Sequence, residues 1–299
     1  MAQAQTVSAA LGVQGHDVEI CIIKTSGDRG ERQVLGAFVR EIQQSLLKNE
    51  IDVALHCLKD LPTTQIEGLA LSAYLEREDP RDALISFGPN LRDLPSGSVV
   101  GTGSLRRTSQ LMIQRPDLTF RPLMGNVDTR MRKVASGEYN AIVLAVAGLN
   151  RLGLTAAWST SEYRHLTVHP LTPLEMLPAP GQAVLVLETR DGDLDSIEAV
   201  RELNHPPTKQ CVFAEREFLS TFGTGCSLPV AALCVYEDDF LELTGLVTRH
   251  DGTTCLRAKL QCKVDASEGI GLRLANNLIA EGAMDLIAEV HVVFGGEST

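Results

Sequence analysis

Residues 141–147 read AIVLAVA, an unbroken apolar run of the kind found in strands that are buried on both faces of a parallel sheet. Earlier apolar runs at 17–24 (DVEICIIK), 51–56 and 68–74 also have strand character, and apolar residues at helical spacing separate the first two. A further strand pattern follows at 183–189 (AVLVLET). This alternation of strands and helices predicts an α/β fold with a parallel, twisted sheet.

The same alternation divides the chain into units. The pattern restarts after residue 76, and the strand at 183–189 is expected to return to the first unit, so that two connections cross between the units and leave a hinged cleft. After residue 204 the pattern changes to a helix, three antiparallel strands and closing helices. We therefore expect three domains, which comprise residues 1–75 with 184–203, residues 76–183, and residues 204–299. The last is a small α+β domain with an antiparallel three-stranded sheet.

The composition excludes several classes of protein. The chain of 299 residues is 44% hydrophobic and 22% charged, as is usual for globular proteins. A net charge of −11 and an aromatic content of 4% argue against a general nucleic-acid binder. The seven cysteines form no CxxC pair and no zinc spacing with histidine, so no metal site is expected. No apolar run reaches about 18 residues, which predicts no membrane span. The odd cysteine count and the lack of a secretory leader favour a cytoplasmic protein.

Basic residues are concentrated between 101 and 135, where seven Lys and Arg residues stand against two Asp residues. Within this stretch GTGSLRR (101–107) follows a strand and opens a helix, and GNVDTR (125–130) repeats that design. Free N–H groups at a helix start, hydroxyls and arginines suit a carboxylate or a phosphate. The candidate binding residues are Thr102, Ser104, Arg106, Arg107, Gly125, Asn126 and Arg130. The alternatives are a solvated basic face and plain helix caps, and the absence of a P-loop or GxGxxG motif disfavours a nucleotide.

Two further places have residues suited to catalysis. Lys59 and Asp60 follow a buried strand, where α/β sheets usually bind ligands. A carboxylate in a closing cleft can act as a general acid or base, and an adjacent ammonium helps keep it ionised, although a surface turn is the alternative. Cys226 lies in the loop GTGCSLP (223–229), whose glycines let the backbone bring a thiol close to a ligand, so it is a candidate nucleophile or attachment point. We interpret the other cysteines and His56 as structural.

Taken together, these segments resemble the porphobilinogen deaminase (hydroxymethylbilane synthase) family of tetrapyrrole biosynthesis. The matching runs are HCLKDLP (56–62), EREDPRDA (76–83), GTGSLRR (101–107), GNVDTR (125–130), AIVLAVAGLNRLG (141–153), LPAPGQ (177–182), AER (214–216) and GCSLP (225–229). They follow the family order over nearly the whole chain. The resemblance implies a three-domain α/β fold whose first two domains are similar to type II periplasmic binding proteins.

The resemblance also implies an activity and a cofactor. Enzymes of the family join four porphobilinogen units head to tail, release an ammonia from each and free the linear tetrapyrrole with water. They carry a covalent dipyrromethane cofactor, joined by a thioether to the loop cysteine, here Cys226. Asp60 matches the family's catalytic aspartate, which stabilises the positive charge developing on the pyrrole nitrogen and assists proton transfer. The residues that match positions binding cofactor and substrate carboxylates are Lys59, Arg77, Thr102, Ser104, Arg106, Arg107 and Arg130.

Three departures from the family pattern predict impaired activity. Met1 and Ala2 align with the end of the family's Arg-x-Ser-x-Leu-Ala segment, so the first strand is absent and we expect an exposed edge or a gap in the first sheet. Leu35 stands at the lysine of the family's Gly-Gly-Lys-Gly loop, and Met124 stands at the arginine of its Arg-Gly-Asn motif. Each lost cation costs about 1.5–3 kcal/mol of binding where it made a charge-assisted hydrogen bond.

These observations leave three functional hypotheses. The leading one is a transferase that polymerises porphobilinogen. The second is a divergent homologue that binds a pyrrole or another small polycarboxylate without turnover. The third is a periplasmic-type binding module, which the absent leader and the cysteine-bearing third domain disfavour. We expect a small-molecule partner and a monomer, because the fold buries its own sheets and the sequence has no coiled-coil pattern.

Overall fold

The computed structural model describes residues 2–23, 39–223 and 228–294. The strands of this part are β1 (Ala54–Cys57), β2 (Leu69–Tyr74), β3 (Asp82–Ser86), β4 (Val99–Gly101), β5 (Thr119–Arg121), β6 (Ala141–Ala145), β7 (Thr167–Pro170), β8 (Leu185–Arg190), β9 (Val230–Glu237), β10 (Phe240–Thr248) and β11 (Cys255–Lys263). The α-helices are α1 (Ala2–Val13), α2 (Arg40–Leu47), α3 (Leu105–Gln114), α4 (Val127–Ala135), α5 (Val146–Arg151), α6 (Leu194–Arg201), α7 (Pro206–Phe222), α8 (Ile270–Ala280) and α9 (Ala283–Phe294). None of these helices has the length and apolar character needed to cross a bilayer.

The first sheet has the strand order β1-β8-β2, and β8 runs antiparallel to both neighbours. The return of the chain to this sheet through β8 confirms the expectation for residues 183–189. Helix α1 packs Val7 and Leu11 against Leu187 of β8, and α2 packs Leu46 against β1 and β2. The predicted helix before Leu47 begins at Arg40 in the described part, and its earlier residues lie outside that part.

In the part of the chain that the structure describes, one edge of the first sheet has no paired strand. Among the described residues β1 is hydrogen-bonded only to β8, and residues 16–23 form no regular secondary structure, although the sequence predicted a strand at 17–24. A groove of about 1100 Å³ lies there, lined among others by Leu11, Ile20 and Leu55.

The second sheet has the order β5-β4-β6-β3-β7 and is mixed rather than parallel as predicted. Strand β4 is parallel to β5 and β6, whereas β3 is antiparallel to β6 and β7. The reversed strand, β3, is the first strand that the chain forms after it leaves the first sheet. In the same way β8, the strand by which the chain returns to the first sheet, runs opposite to its neighbours there. Strand β6, the apolar run of the sequence, is buried at the centre, and the run continues into α5 after Ala145.

The third sheet is an antiparallel meander with the order β11-β10-β9, as predicted. The β9–β10 hairpin turns at Asp238 and Asp239, which both have positive φ, the conformation favoured by two-residue hairpin loops. Helices α7, α8 and α9 cover one face of the sheet, around the fully buried Phe218. A Cβ on Gly271 would lie 2.3 Å from the Ala214 carbonyl oxygen, so this glycine lets α8 pack closely on α7.

Candidate active site

A short 3-10 turn, Leu58–Asp60, follows β1 and carries Lys59 and Asp60; we call it the Asp60 turn. Leu58 is fully buried, and its N–H donates to the Val184 carbonyl at 3.0 Å, which ties the turn to the start of β8. Gly181 packs against it with φ of 72°, and a Cβ there would lie 2.9 Å from the Leu58 side chain. The Asp60 side chain is exposed and has no hydrogen bond to any described residue. Its carboxylate can therefore accept a hydrogen bond from an N–H or O–H group of a ligand.

Lys59 points into the protein from the same turn. Its Nζ lies 3.3 Å from the Gln182 Oε1. Burial lowers the pKa of the Lys59 ammonium, and the carboxylates of Asp60 and Asp82 oppose that shift. The lysine therefore depends on nearby negative charge for its ionised form.

Arg106 and Arg107, at the start of α3, both bind the carboxylate of Asp82. The Arg107 Nη2 lies 2.7 Å from Asp82 Oδ1, and the Arg106 Nη2 lies 2.9 Å from Oδ2. Both guanidiniums are buried, and they also donate to the carbonyls of Leu177 and Val143. Burial alone would raise the pKa of the Asp82 carboxyl, but the two guanidiniums reverse that effect and hold the pKa far below its usual range.

These groups form what we call the charge cluster. Its members are Lys59, Asp60, Asp82, Arg106, Arg107 and Arg130. Arg130, on α4, belongs to it because its charge interacts with those of Arg107 and Asp60, while burial lowers its pKa. Four cations and two carboxylates leave a formal charge of +2. Partly buried positive charge without counter-ions is costly, so the cluster suits a ligand with several carboxylates.

The two glycine turns differ in what they leave open. Thr102 is buried, and its Oγ1 accepts the Ser104 N–H at 3.2 Å. The Ser104 side chain makes no capping hydrogen bond, so its hydroxyl and the first N–H groups of α3 remain available to a ligand. In the second turn the Asn126 side-chain oxygen caps α4 through the Thr129 N–H, and the Gly125 carbonyl accepts from Arg130. The cap interpretation therefore holds for the side-chain oxygen of Asn126.

Arg77 is not brought into the charge cluster. Its guanidinium forms a bidentate pair with the fully buried Glu215 of α7, at 2.5 and 3.2 Å, and its Nε donates to the Gln182 carbonyl. Glu215 also accepts the N–H groups of Gly181 and Cys234, each at 2.7 Å. In this structure Arg77 thus connects the segment between β2 and β3 to α7, which packs on the third sheet. Its role as a carboxylate-binding residue stays a prediction.

The site contains polar residues that the sequence analysis did not single out. The fully buried Gln182 donates to Asp82 Oδ1 at 3.0 Å and to the Pro80 carbonyl at 2.8 Å, while it accepts from Lys59. Arg151, at the end of α5, donates to the Ala183 carbonyl, and burial lowers its pKa. Asp82, Gln182 and Arg151 all lie within runs that match the family, which is the only signal in the sequence that marks them.

Cys226 and Leu35 lie outside the described residues. The chain on either side of the cysteine is well packed, since Phe222 and Leu228 both belong to the core beneath the third sheet. Met124 is 54% exposed beside Gly125, so no cation reaches the cluster from that position.

The buried pairs of Asp82 give a prediction for stability. Asp82→Asn would leave two buried guanidiniums without their carboxylate and should lower the free energy of unfolding by about 3–5 kcal/mol, as measured by urea denaturation. Because the pKa of Asp82 is depressed in the folded state, this contribution is fully present above about pH 4 and declines as the pH falls further. The control is Asp79→Asn at the partly exposed Arg81 pair, where we expect a loss of about 1 kcal/mol or less. Equal losses in the two variants would contradict this account of Asp82.

Comparison with known proteins gives consistent results over most of the chain. The model of the porphobilinogen deaminase dipyromethane cofactor binding domain matches residues 1–198, and that of the porphobilinogen deaminase C-terminal domain matches residues 209–280. A porphobilinogen deaminase of Thermus thermophilus is 44% identical over 277 residues, which cover 92% of this chain and 89% of that protein. One from Acidothermus cellulolyticus is 41% identical over 297 residues, covering 96% and 87%. A periplasmic binding protein of Salmonella typhimurium with high arginine specificity covers 72% of this chain and 86% of its own at 10% identity, with a TM-score of 0.40, too low to carry an argument.

Proposed function

The chain belongs to the porphobilinogen deaminase family, and we propose that the charge cluster is the place where it performs the family's reaction. The protein is a hydroxymethylbilane synthase, a transferase of tetrapyrrole biosynthesis. It condenses four porphobilinogen units head to tail with loss of ammonia and releases the linear tetrapyrrole by hydrolysis. The observation that supports the placement is the Asp60 carboxylate, which is unpaired among the described residues and lies beside a partly buried excess of positive charge.

The dipyrromethane cofactor fits the charge of this site. Each pyrrole of the cofactor carries an acetate and a propionate, and the cluster offers four cations with only two carboxylates of its own. We assign the attachment to Cys226, and the binding of carboxylates to Arg106, Arg107 and Arg130 together with Thr102 and the hydroxyl of Ser104. When bound, this group would supply the nucleophilic pyrrole carbon to which the first unit is joined, and each later unit would join the end of the growing chain.

Asp60 has the catalytic role in this proposal. Its exposed carboxylate accepts the pyrrole N–H of porphobilinogen, and it stabilises the positive charge that develops on that nitrogen as ammonia leaves. The same carboxylate then assists the transfer of a proton. Lys59, next to it, binds a substrate carboxylate, which in turn favours the charged form of the buried ammonium.

The domain boundaries, the location and the partners of the protein are part of the same proposal. The first domain comprises residues 1–75 and 184–203, the second 76–183 and the third 204–299, with the substrate between the first two. The protein works in the cytoplasm as a monomer on a small molecule, and it uses neither nucleic acid nor a membrane. The apolar cores buried beneath the three sheets support a chain that needs no second copy.

A second candidate is a homologue that binds a polycarboxylate without turnover. It is favoured by one observation, the exposed Met124 at the position where the family has an arginine. In this case the cluster would retain affinity for porphobilinogen while assembly or elongation fails.

Incubation of the purified protein with porphobilinogen tests the proposed function. We expect uroporphyrin-type absorbance to grow after oxidation of the product, in proportion to enzyme and time. A heat-denatured sample, in which only spontaneous condensation contributes, is the control. Absence of product at saturating substrate, with binding still measurable by calorimetry, would overturn the enzyme and leave the second candidate.

A further inference from the structure

The position of the Asp60 carboxylate depends on the backbone that carries it. No side chain in the described part of the protein holds this carboxylate by a hydrogen bond. The upstream end of the Asp60 turn is fixed, because the Leu58 N–H donates to Val184 and the Leu61 N–H closes the turn on the Leu58 carbonyl at 3.1 Å. What fixes the downstream end therefore decides where the carboxylate lies.

Arg216 of α7 holds that downstream end. Its Nη1 lies 3.2 Å from the Leu61 carbonyl oxygen, and its Nη2 lies 2.7 Å from that of Pro62. Within the described ranges Arg216 has no ion pair with a carboxylate, and burial lowers its pKa. A largely buried guanidinium whose hydrogen bonds go to two successive carbonyls is placed to fix a backbone rather than to neutralise a charge.

Packing alone does not fix this part of the loop. A cavity of about 120 Å³ lies behind it and is lined by residues 61–66, the Arg216 side chain and Glu188. The Thr63 Oγ1 is buried next to this cavity without a hydrogen-bond partner in the described structure. Because the loop has space behind it, it can shift if the two hydrogen bonds from Arg216 are lost.

The helix that carries Arg216 is itself held firmly. The preceding residue, Glu215, is fully buried and binds Arg77, the Gly181 N–H and the Cys234 N–H. Arg216 therefore extends from a fixed point. Glu215 connects α7 to Arg77 and Gly181, which lie in the two connections between the first and second sheets, and Arg216 connects α7 to the residues that follow the Asp60 turn.

We propose that Arg216 is a positioning residue, which sets the place of the Asp60 carboxylate through the carbonyls of Leu61 and Pro62. This inference rests on the proposed catalytic role of Asp60. A carboxylate displaced by about 1 Å from its productive place lowers the rate roughly 10²-fold without a comparable change in substrate binding.

Two variants of the holoenzyme test the proposal, with hydrogen exchange and kinetics as separate readouts. In Arg216→Gln we expect amide exchange in a peptide spanning residues 58–65 to rise at least about tenfold. We expect kcat to fall about 10–100-fold, with KM unchanged within about twofold. Arg216→Lys keeps a charged donor but loses the planar guanidinium that reaches both carbonyls, so the rise in exchange and the fall in kcat should both be smaller than in Arg216→Gln. Intact mass should show the cofactor retained in each variant.

Arg115→Gln is the matched control. Arg115 also donates to loop carbonyls, those of Leu91, Arg92 and Leu94, but in the second sheet's unit and away from Asp60. Its loss should accelerate exchange around residues 91–94 and leave kcat within about twofold of the parent.

The outcomes separate this inference from the proposed function. Unchanged exchange at 58–65 in Arg216→Gln would overturn the positioning role whether or not the parent enzyme turns over. Faster exchange with unchanged kcat would also overturn it. In an Asp60→Asn background Arg216→Gln should cause no further loss, and an equal loss there would show that Arg216 acts independently of Asp60. An inactive parent would refute the proposed function alone.

Discussion

Asp60→Asn should lower the turnover of porphobilinogen by about 10²–10⁴-fold while the dipyrromethane stays attached. The asparagine has nearly the same shape but cannot stabilise a cation or take up a proton. The cations that hold the ligand carboxylates lie on α3, on α4 and at Lys59, and the substitution leaves them in place. We therefore expect the loss in kcat, with KM little changed.

The control for this variant is Asp52→Asn. Asp52 is a highly exposed carboxylate that pairs with Arg190 two residues before β1, so its loss changes the net charge equally without touching the Asp60 turn. Its activity should stay within about twofold of the parent, since exposed ion pairs contribute little. Full activity in Asp60→Asn would refute the assignment of Asp60, and a similar loss in both variants would point to net charge instead.

Cys226→Ala should abolish covalent attachment of the cofactor and, with it, all measurable synthesis. An alanine has no sulfur with which to form the thioether. The six cysteines that the structure describes lie in helices, in strands or in the segment 16–23, which has no regular secondary structure. Intact mass should equal that of the bare polypeptide. Cys255→Ala, which removes an exposed thiol on β11, is the control and should retain the added mass. A dipyrrole retained on Cys226→Ala would exclude Cys226 as the anchor.

The positions of helices and strands that depend only on local sequence periodicity were predicted well. The apolar run of β6, the meander β9–β10–β11 and the helix starts after the two glycine turns all lie where local periodicity placed them. Strand direction was not predicted correctly, because β3 and β8 have the same apolar pattern in either direction and only the connections between sheets reverse them. The strand predicted at 17–24 was wrong for residues 17–23, since apolar periodicity does not supply a pairing partner.

At the site, too, residues within local motifs were predicted, whereas partners distant in the sequence were not. Lys59, Asp60, Arg107 and Arg130, which the sequence motifs contain, lie close enough in the structure for their charges to interact, and their functional roles stay predictions. The partners of the arginines were missed, because the Arg77–Glu215 pair spans 138 residues and no local pattern connects such positions. The buried Asp82 was missed for the same reason: an isolated Asp in a motif gives no sign that it will hold two guanidiniums.

Intact-mass spectrometry of the purified protein, with and without porphobilinogen, tests the central claim most directly. The account predicts a species heavier than the 32.3 kDa polypeptide by a dipyrrole, and further pyrrole-sized steps when substrate is added. These steps would show that the charge cluster assembles the cofactor and elongates it. A bare polypeptide mass under both conditions would contradict the account, because a site built to hold several carboxylates would then carry neither cofactor nor product.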